Sequence, residues 1–175
     1  MCTSHGGNPL AMVRWFDNDR EVESDYEVGN MDATATLVLL ANMTDNGATY
    51  RCLVSNKASP DPQEKKIKLN VNFAPPFVRI EVSPKRPRSG GIAELTCHSG
   101  EANPTATIEW LYNGKRLSGR QTTIPGSYGG KKTKNSLILD MKPNFDGRVY
   151  TCKALNKIGE AVDAVTLSVA CKLIF

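Results

Sequence analysis

Nowhere in the 175 residues is there an apolar run long enough to cross a membrane. The longest, TLVLLA at 36–41 and VACKLIF at 169–175, fall far short of the roughly 18 residues a spanning helix requires. The start carries no leader of basic, apolar and small residues, so a secretory origin has to be read from the body of the chain. Long helical periodicity is missing throughout. Histidine is scarce, with only His5 and His98, and no C-x-x-C spacing of the kind that holds zinc occurs. There is no glycine-rich phosphate loop and no nucleophile elbow. The chain is therefore not read as an enzyme, and no catalytic residue, cofactor or metal is expected. A net charge of +4 is too small to indicate nucleic acid. Its local sources, KRPR at 85–88 and KKTK at 131–134, lack the interleaved aromatics that single-stranded nucleic acid requires.

What is there is repetition. A hydrophobic content of 40% suits soluble domains with real cores, and at this length two small domains are expected. CTSHGGNPLAMVRWFDN, from Cys2, aligns with CHSGEANPTATIEWLYN, from Cys97, at a constant offset of 95. Ser4, Asn8, Pro9, Ala11, Trp15 and Asn18 fall on Ser99, Asn103, Pro104, Ala106, Trp110 and Asn113. Further on, TLVLLANMTDNGATYRC aligns with SLILDMKPNFDGRVYTC at an offset of 100, which places Leu37, Leu39, Gly47, Tyr50 and Cys52 on Leu137, Leu139, Gly147, Tyr150 and Cys152. The extra residues of the second copy lie in SGRQTTIPGSYGGKK, a polar, glycine-rich stretch. Insertions concentrate in loops, so this stretch is expected to be a variable connection in a scaffold of fixed length.

The blocks read as strands. Ala11, Val13 and Trp15 alternate with Met12, Arg14 and Phe16, and Ala106, Ile108 and Trp110 alternate with Thr107, Glu109 and Leu111. A period of two buries one face. Asn113-Gly114 sits between WLY and KRL, where a two-residue hairpin turn with positive φ angles is expected.

A cysteine, a tryptophan thirteen residues on, and a tyrosine two residues before a second cysteine occur in both copies, and together they resemble the immunoglobulin sandwich. There the tryptophan of strand C covers a disulfide between strands B and F, and the tyrosine forms a corner that pins strand F. The resemblance implies an all-β chain of two tandem immunoglobulin-like β-sandwiches of the C2/I type. It implies disulfides Cys2–Cys52 under Trp15 and Cys97–Cys152 under Trp110, with Tyr50 and Tyr150 at the corners. Cys2 then belongs to strand B, so domain 1 (1–73) lacks its N-terminal strand, domain 2 spans 74–170, and 171–175 begin a tail or the next segment. The chain is accordingly expected to be a fragment whose leader and membrane anchor lie outside it. An unpaired edge is expected in domain 1, which should be the less stable of the two. Pro75-Pro76 should keep the junction short and stiff. The odd cysteine, Cys171, is open to a pairing beyond the fragment, an intermolecular bridge, or a buried thiol.

YTCKALNKIG at 150–159 is similar to the strand F to G signature of adhesion-type immunoglobulin domains, and YRCLVSN at 50–56 is a weaker copy. C-x-S-x-x-x-N-P-x-A before the tryptophan, the APPFVRIEVSP junction and the glycine-rich segment resemble the nephrin group of cell-adhesion molecules, which includes the irregular chiasm and sticks-and-stones proteins. One departure is Asn46, where the acidic residue seen as Asp146 is expected, so the turn before strand F in domain 1 is open. The resemblance implies a membrane-anchored receptor at the extracellular face of the plasma membrane, binding ectodomains of the same or related immunoglobulin-superfamily receptors. Its recognition face would be the sheet of strands G, F and C: Met12, Arg14, Phe16, Arg51 and Leu53 in domain 1, and the more ordinary Thr107, Glu109, Leu111, Thr151, Lys153 and Leu155 in domain 2. Apolar residues with arginine are enriched at interfaces, although scattered exposed apolar residues are also normal. Asn42-Met43-Thr44 is a glycosylation sequon at Asn42. Lys85, Arg86, Arg88 and Lys131, Lys132, Lys134 are candidates for heparan sulphate or acidic lipid headgroups, or are solvated loops. Two other settings use similar domains: a matrix strut of hemicentin type, and an intracellular spacer of titin type, in which the cysteines would stay reduced.

Overall fold

The computed structural model describes residues 1–170; Cys171 lies outside the described residues. The chain divides into two compact units, the first Met1–Val71 and the second beginning at Asn72. Phe73 exchanges backbone hydrogen bonds with Asn103 and so belongs to the second unit.

The first unit contains β1 (Cys2–His5), β2 (Met12–Asp17), β3 (Arg20–Val22), β4 (Asp25–Val28), β5 (Asp32–Thr36), β6 (Thr49–Asn56) and β7 (Ser59–Lys68), with a 3-10 turn at Met43–Asp45. They form two antiparallel sheets, β1-β5-β4 and β3-β2-β6-β7. The alternation of the sequence sets the facing side chains: Val13, Trp15, Ala33, Ala35, Tyr50 and Cys52 are buried between the sheets. Cys2 and Cys52 are disulfide-bonded, with Cα atoms 6.5 Å apart, and the Trp15 indole N–H donates to the Ala35 carbonyl at 3.0 Å. β1 has a single neighbour, β5, and the apolar residues that continue β5 are largely in solvent, Val38 at 80% and Leu40 at 100% exposure.

The second unit contains β8 (Val78–Ser83), β9 (Ile92–Ala102), β10 (Thr107–Tyr112), β11 (Lys115–Leu117), β12 (Arg120–Pro125), β13 (Lys131–Asp140), β14 (Val149–Leu155) and β15 (Glu160–Thr166), with a 3-10 turn at Pro143–Phe145. Its sheets are β12-β13-β9-β8 and β11-β10-β14-β15. Here β9 is paired on both sides, and β13 stays in register with it down to Asp140 opposite Ile92. The core is larger, with Leu95, Trp110, Leu137, Tyr150 and Leu167 among its buried members around the Cys97–Cys152 disulfide. Asn113 and Gly114 both have positive φ and join Tyr112 to Lys115 as a two-residue hairpin.

The glycine-rich stretch differs from its expected form. Residues 120–125 and 131–140 are paired strands, joined by a loop at 126–130. The physical reason is Glu101, which is buried. Its carboxylate accepts from the backbone N–H groups of Ser127 (2.7 Å), Tyr128 (2.8 Å) and Gly130 (2.8 Å), so the hairpin tip is clamped to β9. A Cβ at Gly126 would overlap that carboxylate, which explains the glycine.

Candidate recognition face

In the sheet β3-β2-β6-β7, Met12 is opposite Ser55, Arg14 opposite Leu53, and Phe16 opposite Arg51. Residues directly opposite in an antiparallel pair project to the same face, so the five residues singled out in domain 1 form one surface. Its centre is the Phe16 ring. The guanidinium carbon of Arg51 lies 4.9 Å from the ring centroid and that of Arg14 5.8 Å, both within cation–π reach. Around them runs a rim of carboxylates: Arg14 pairs with Glu21 at 3.4 Å, and Arg51 pairs with Glu64 at 3.3 Å and Asp19 at 3.7 Å. Lys66 reaches Glu64 at 3.2 Å. Hydrogen bonds from Lys66 first and Arg51 second hold the Glu64 carboxyl below the usual carboxylate range. Met12 is open to solvent, whereas Phe16, Leu53 and Arg51 are half-buried. The surface is therefore an aromatic ring held between two oriented guanidinium groups rather than an open apolar patch. Glu21, Glu64 and Lys66 were not legible as part of it, because only the strand register brings them there; the alternation in QEKKIK was the available signal.

The second unit carries a different surface on the same strands. Thr107 faces Leu155, Glu109 faces Lys153, and Leu111 faces Thr151. Arg116 pairs with Glu109 at 3.0 Å, and Lys153 pairs with Glu160. Among the described residues no ring there lies within cation–π reach of two guanidinium groups.

The turn left open by Asn46 is the same in both units. Asn46 Oδ1 accepts from the Val71 N–H at 2.8 Å, and Asp146 Oδ1 accepts from the Val169 N–H at 2.8 Å. Gly47 N–H donates to the Leu69 carbonyl as Gly147 does to Leu167. The turn needs an acceptor oxygen, and an amide supplies it as well as a carboxylate does. Just before it, the exposed Asn42 caps the 3-10 turn: its Oδ1 accepts from the Thr44 N–H and hydroxyl, and Asp45 accepts from the Asn42 N–H.

The two basic segments separate. Lys85, Arg86 and Arg88 are exposed in an irregular stretch after β8. Lys131, Lys132 and Lys134 are in β13 and not in a loop, because the clamped hairpin extends the strand to them. His98 lies 3.8 Å from Glu81, and no group of three or more His, Cys, Asp or Glu gathers among the described residues.

The immunoglobulin I-set domain profile matches residues 2–71, and an immunoglobulin domain profile matches residues 75–156. The chain is 29% identical to Nephrin of Mus musculus over 158 residues, which is 89% of this chain and 12% of that protein. It is 28% identical to Cell adhesion molecule 2 of Xenopus tropicalis over 169 residues, 91% of this chain and 37% of that protein. It thus spans well under half of these relatives. Among solved structures, the full ectodomain of mouse nectin-like molecule 4 superposes with a TM-score of 0.62 at 25% identity, covering 99% of this chain and 60% of that one. Rst D1-D2 superposes at 0.64 with 18% identity, covering 91% and 86% of the two chains, and a titin fragment, I67-I69, at 0.56 with 20% identity, covering 97% and 59%; both show the fold alone. The second of these relatives is by name a cell adhesion molecule, and with both units matched by immunoglobulin profiles the chain belongs to the immunoglobulin superfamily.

Proposed function

We propose that this chain is part of the ectodomain of a cell-surface adhesion receptor, displayed at the extracellular face of the plasma membrane by an anchor outside these residues. The face of β2, β6 and β7 in domain 1 binds an immunoglobulin ectodomain on a neighbouring cell, of the same or a related receptor. Function on this reading is recognition rather than catalysis. The observation that carries it is the Phe16 ring between Arg14 and Arg51. Aromatic and arginine anchors dominate interface energetics, and guanidinium groups already oriented by Glu21, Glu64 and Asp19 lose less entropy on binding. Beads coated with the chain are expected to cluster. Phe16→Asp should abolish clustering, because it puts a carboxylate where the ring sits without touching the core. Clustering that persists in a folded Phe16→Asp protein would remove this face from the mechanism. No clustering of wild-type beads would leave a heterophilic receptor or an extracellular strut of hemicentin type.

The extracellular assignment carries its own test. Asn42 is exposed, and its Oδ1, not its amide nitrogen, makes the cap. Expression through a secretory pathway is expected to add an N-glycan at Asn42, read as a mass shift removed by peptide N-glycosidase. Thr44→Ala destroys the sequon but keeps the Thr44 N–H that donates to Asn42, so it should lose the glycan and stay folded. An unshifted wild-type mass would count against the sequon as a site.

A further inference from the structure

A feature that the recognition face does not explain lies on the opposite sheet of the second domain. A groove of ≈ 350 Å³ is lined by Phe77, His98, Thr122, Ile124, Lys132 and Lys134, together with Ser99 and Thr133. Three local features build it. First, β9 spans His98 to Glu101 against Lys134 to Lys132 on β13, a bulge that turns Ser99 and Thr133 inward and leaves both lysines outward. Second, Gly100 lets the preceding chain close over the strand: a Cβ there would lie 2.8 Å from the Pro76 ring and 3.2 Å from Phe77. Third, Phe77 (47% exposed) and Ile124 (62%) make an apolar floor, and the Arg79 guanidinium sits 5.1 Å from the Phe77 centroid.

Lys132 faces Glu101 across the ladder, but that carboxylate is buried and turned to the loop amides. No ion pair forms at Lys132, Lys134 or Arg79 among the described residues; Glu81 is beside His98, and the Glu94 carboxyl is held below the ordinary range by the Ser136 hydroxyl first, with the charge of Lys134 adding to it. Nor does the sandwich need these charges. The positions equivalent to Lys132 and Lys134 in the first domain are Asp32 and Thr34.

From this combination we propose that the groove binds a sulfated saccharide chain, the C–H faces of a sugar ring lying on Phe77 and Ile124 and the sulfates meeting Lys132, Lys134 and Arg79. The Thr122 hydroxyl and the His98 imidazole beside an aromatic floor suit a sugar. A single aromatic does not suit stacked bases, which need several in succession. The proposal rests on the extracellular reading above, since a sulfated saccharide is met outside the cell, and it narrows the two basic segments to one. The groove and the Phe16 face are on different domains, so each is tested without the other.

The experiment is calorimetric titration of the full chain with a heparin hexasaccharide at several salt concentrations. Binding should weaken about tenfold in Lys132→Ala/Lys134→Ala, with a shallower salt dependence, and about fivefold in Phe77→Ala, with the salt dependence unchanged. Lys85→Ala/Arg86→Ala should stay close to wild type. Equal losses from the Lys85/Arg86 pair, or no effect of Phe77→Ala, would mean general charge attraction and overturn the proposal. So would equal binding of unsulfated hyaluronan hexasaccharide, of a glutamate hexapeptide or of single-stranded DNA, and so would no binding at all. Bead clustering through Phe16 is unaffected by any of these outcomes.

Discussion

Replacing Cys2 and Cys52 together by alanine is expected to unfold the first domain at room temperature, while the second keeps its native spectrum. The disulfide closes a loop of 50 residues, and the chain-entropy account assigns such a closure about 4 kcal/mol. A small domain holds only about 5 kcal/mol in total, so most of its stability goes with the bridge. The first domain has little else to draw on: six residues form its buried cluster against fifteen in the second, β1 is paired on one side only, and Val38 and Leu40 lie in solvent. The matching pair Cys97→Ala/Cys152→Ala loses a similar closure, of 55 residues, yet the second domain should remain folded with a lower urea midpoint. Amide proton–nitrogen spectra read both domains at once. Dispersed signals from residues 1–71 in the Cys2/Cys52 variant would show that the first core suffices without its bridge.

The second large effect is at Trp110, which is fully buried against the Cys97–Cys152 disulfide. Trp110→Ala should cost about 4 kcal/mol, from lost burial and the cavity left behind. Trp110→Phe is the sharper comparison. The Trp110 Nε1 is buried with no hydrogen-bond partner among the described residues, whereas its counterpart in the first domain, Trp15, donates to Ala35. Phenylalanine at 110 therefore removes an unpaired N–H, while phenylalanine at 15 breaks a hydrogen bond and leaves a carbonyl behind. The cost at 110 should be smaller than at 15 by about 1 kcal/mol, measured as the difference in unfolding free energy of each domain. A larger cost at 110 would mean that the indole N–H is satisfied, for example by a bound water.

The sandwich was legible because its signals are local or repeated. Alternation over six residues decides which face of β2 and β10 is buried, and Asn113-Gly114 decides its turn through φ alone. The recurrence of cysteine, tryptophan and tyrosine at fixed spacing marks two domains. One reading failed and one was left open for the same kind of reason. The glycine-rich stretch looked like a loop because glycine and polar residues lower strand propensity locally, yet Glu101, some 25 residues earlier in the chain, supplies the acceptor that holds it as a hairpin. Asn46 left its turn open because residue type was compared, whereas the turn selects for an acceptor oxygen at one point in space.

The sequence by itself determined the fold class, the two-domain order and the alternating faces, since those follow from periodicities that every strand must satisfy. It also determined that Met12, Arg14 and Phe16 share a side of one strand. Only the tertiary structure decided that Phe16 is held between Arg14 and Arg51, that Glu64 and Lys66 join them, and that Lys132 and Lys134 border a groove with Phe77. These are contacts between strands distant in the chain. Register, the β9 bulge and the room left by Gly100 set them, and a one-residue slip in any pairing would turn the same side chains to the other face.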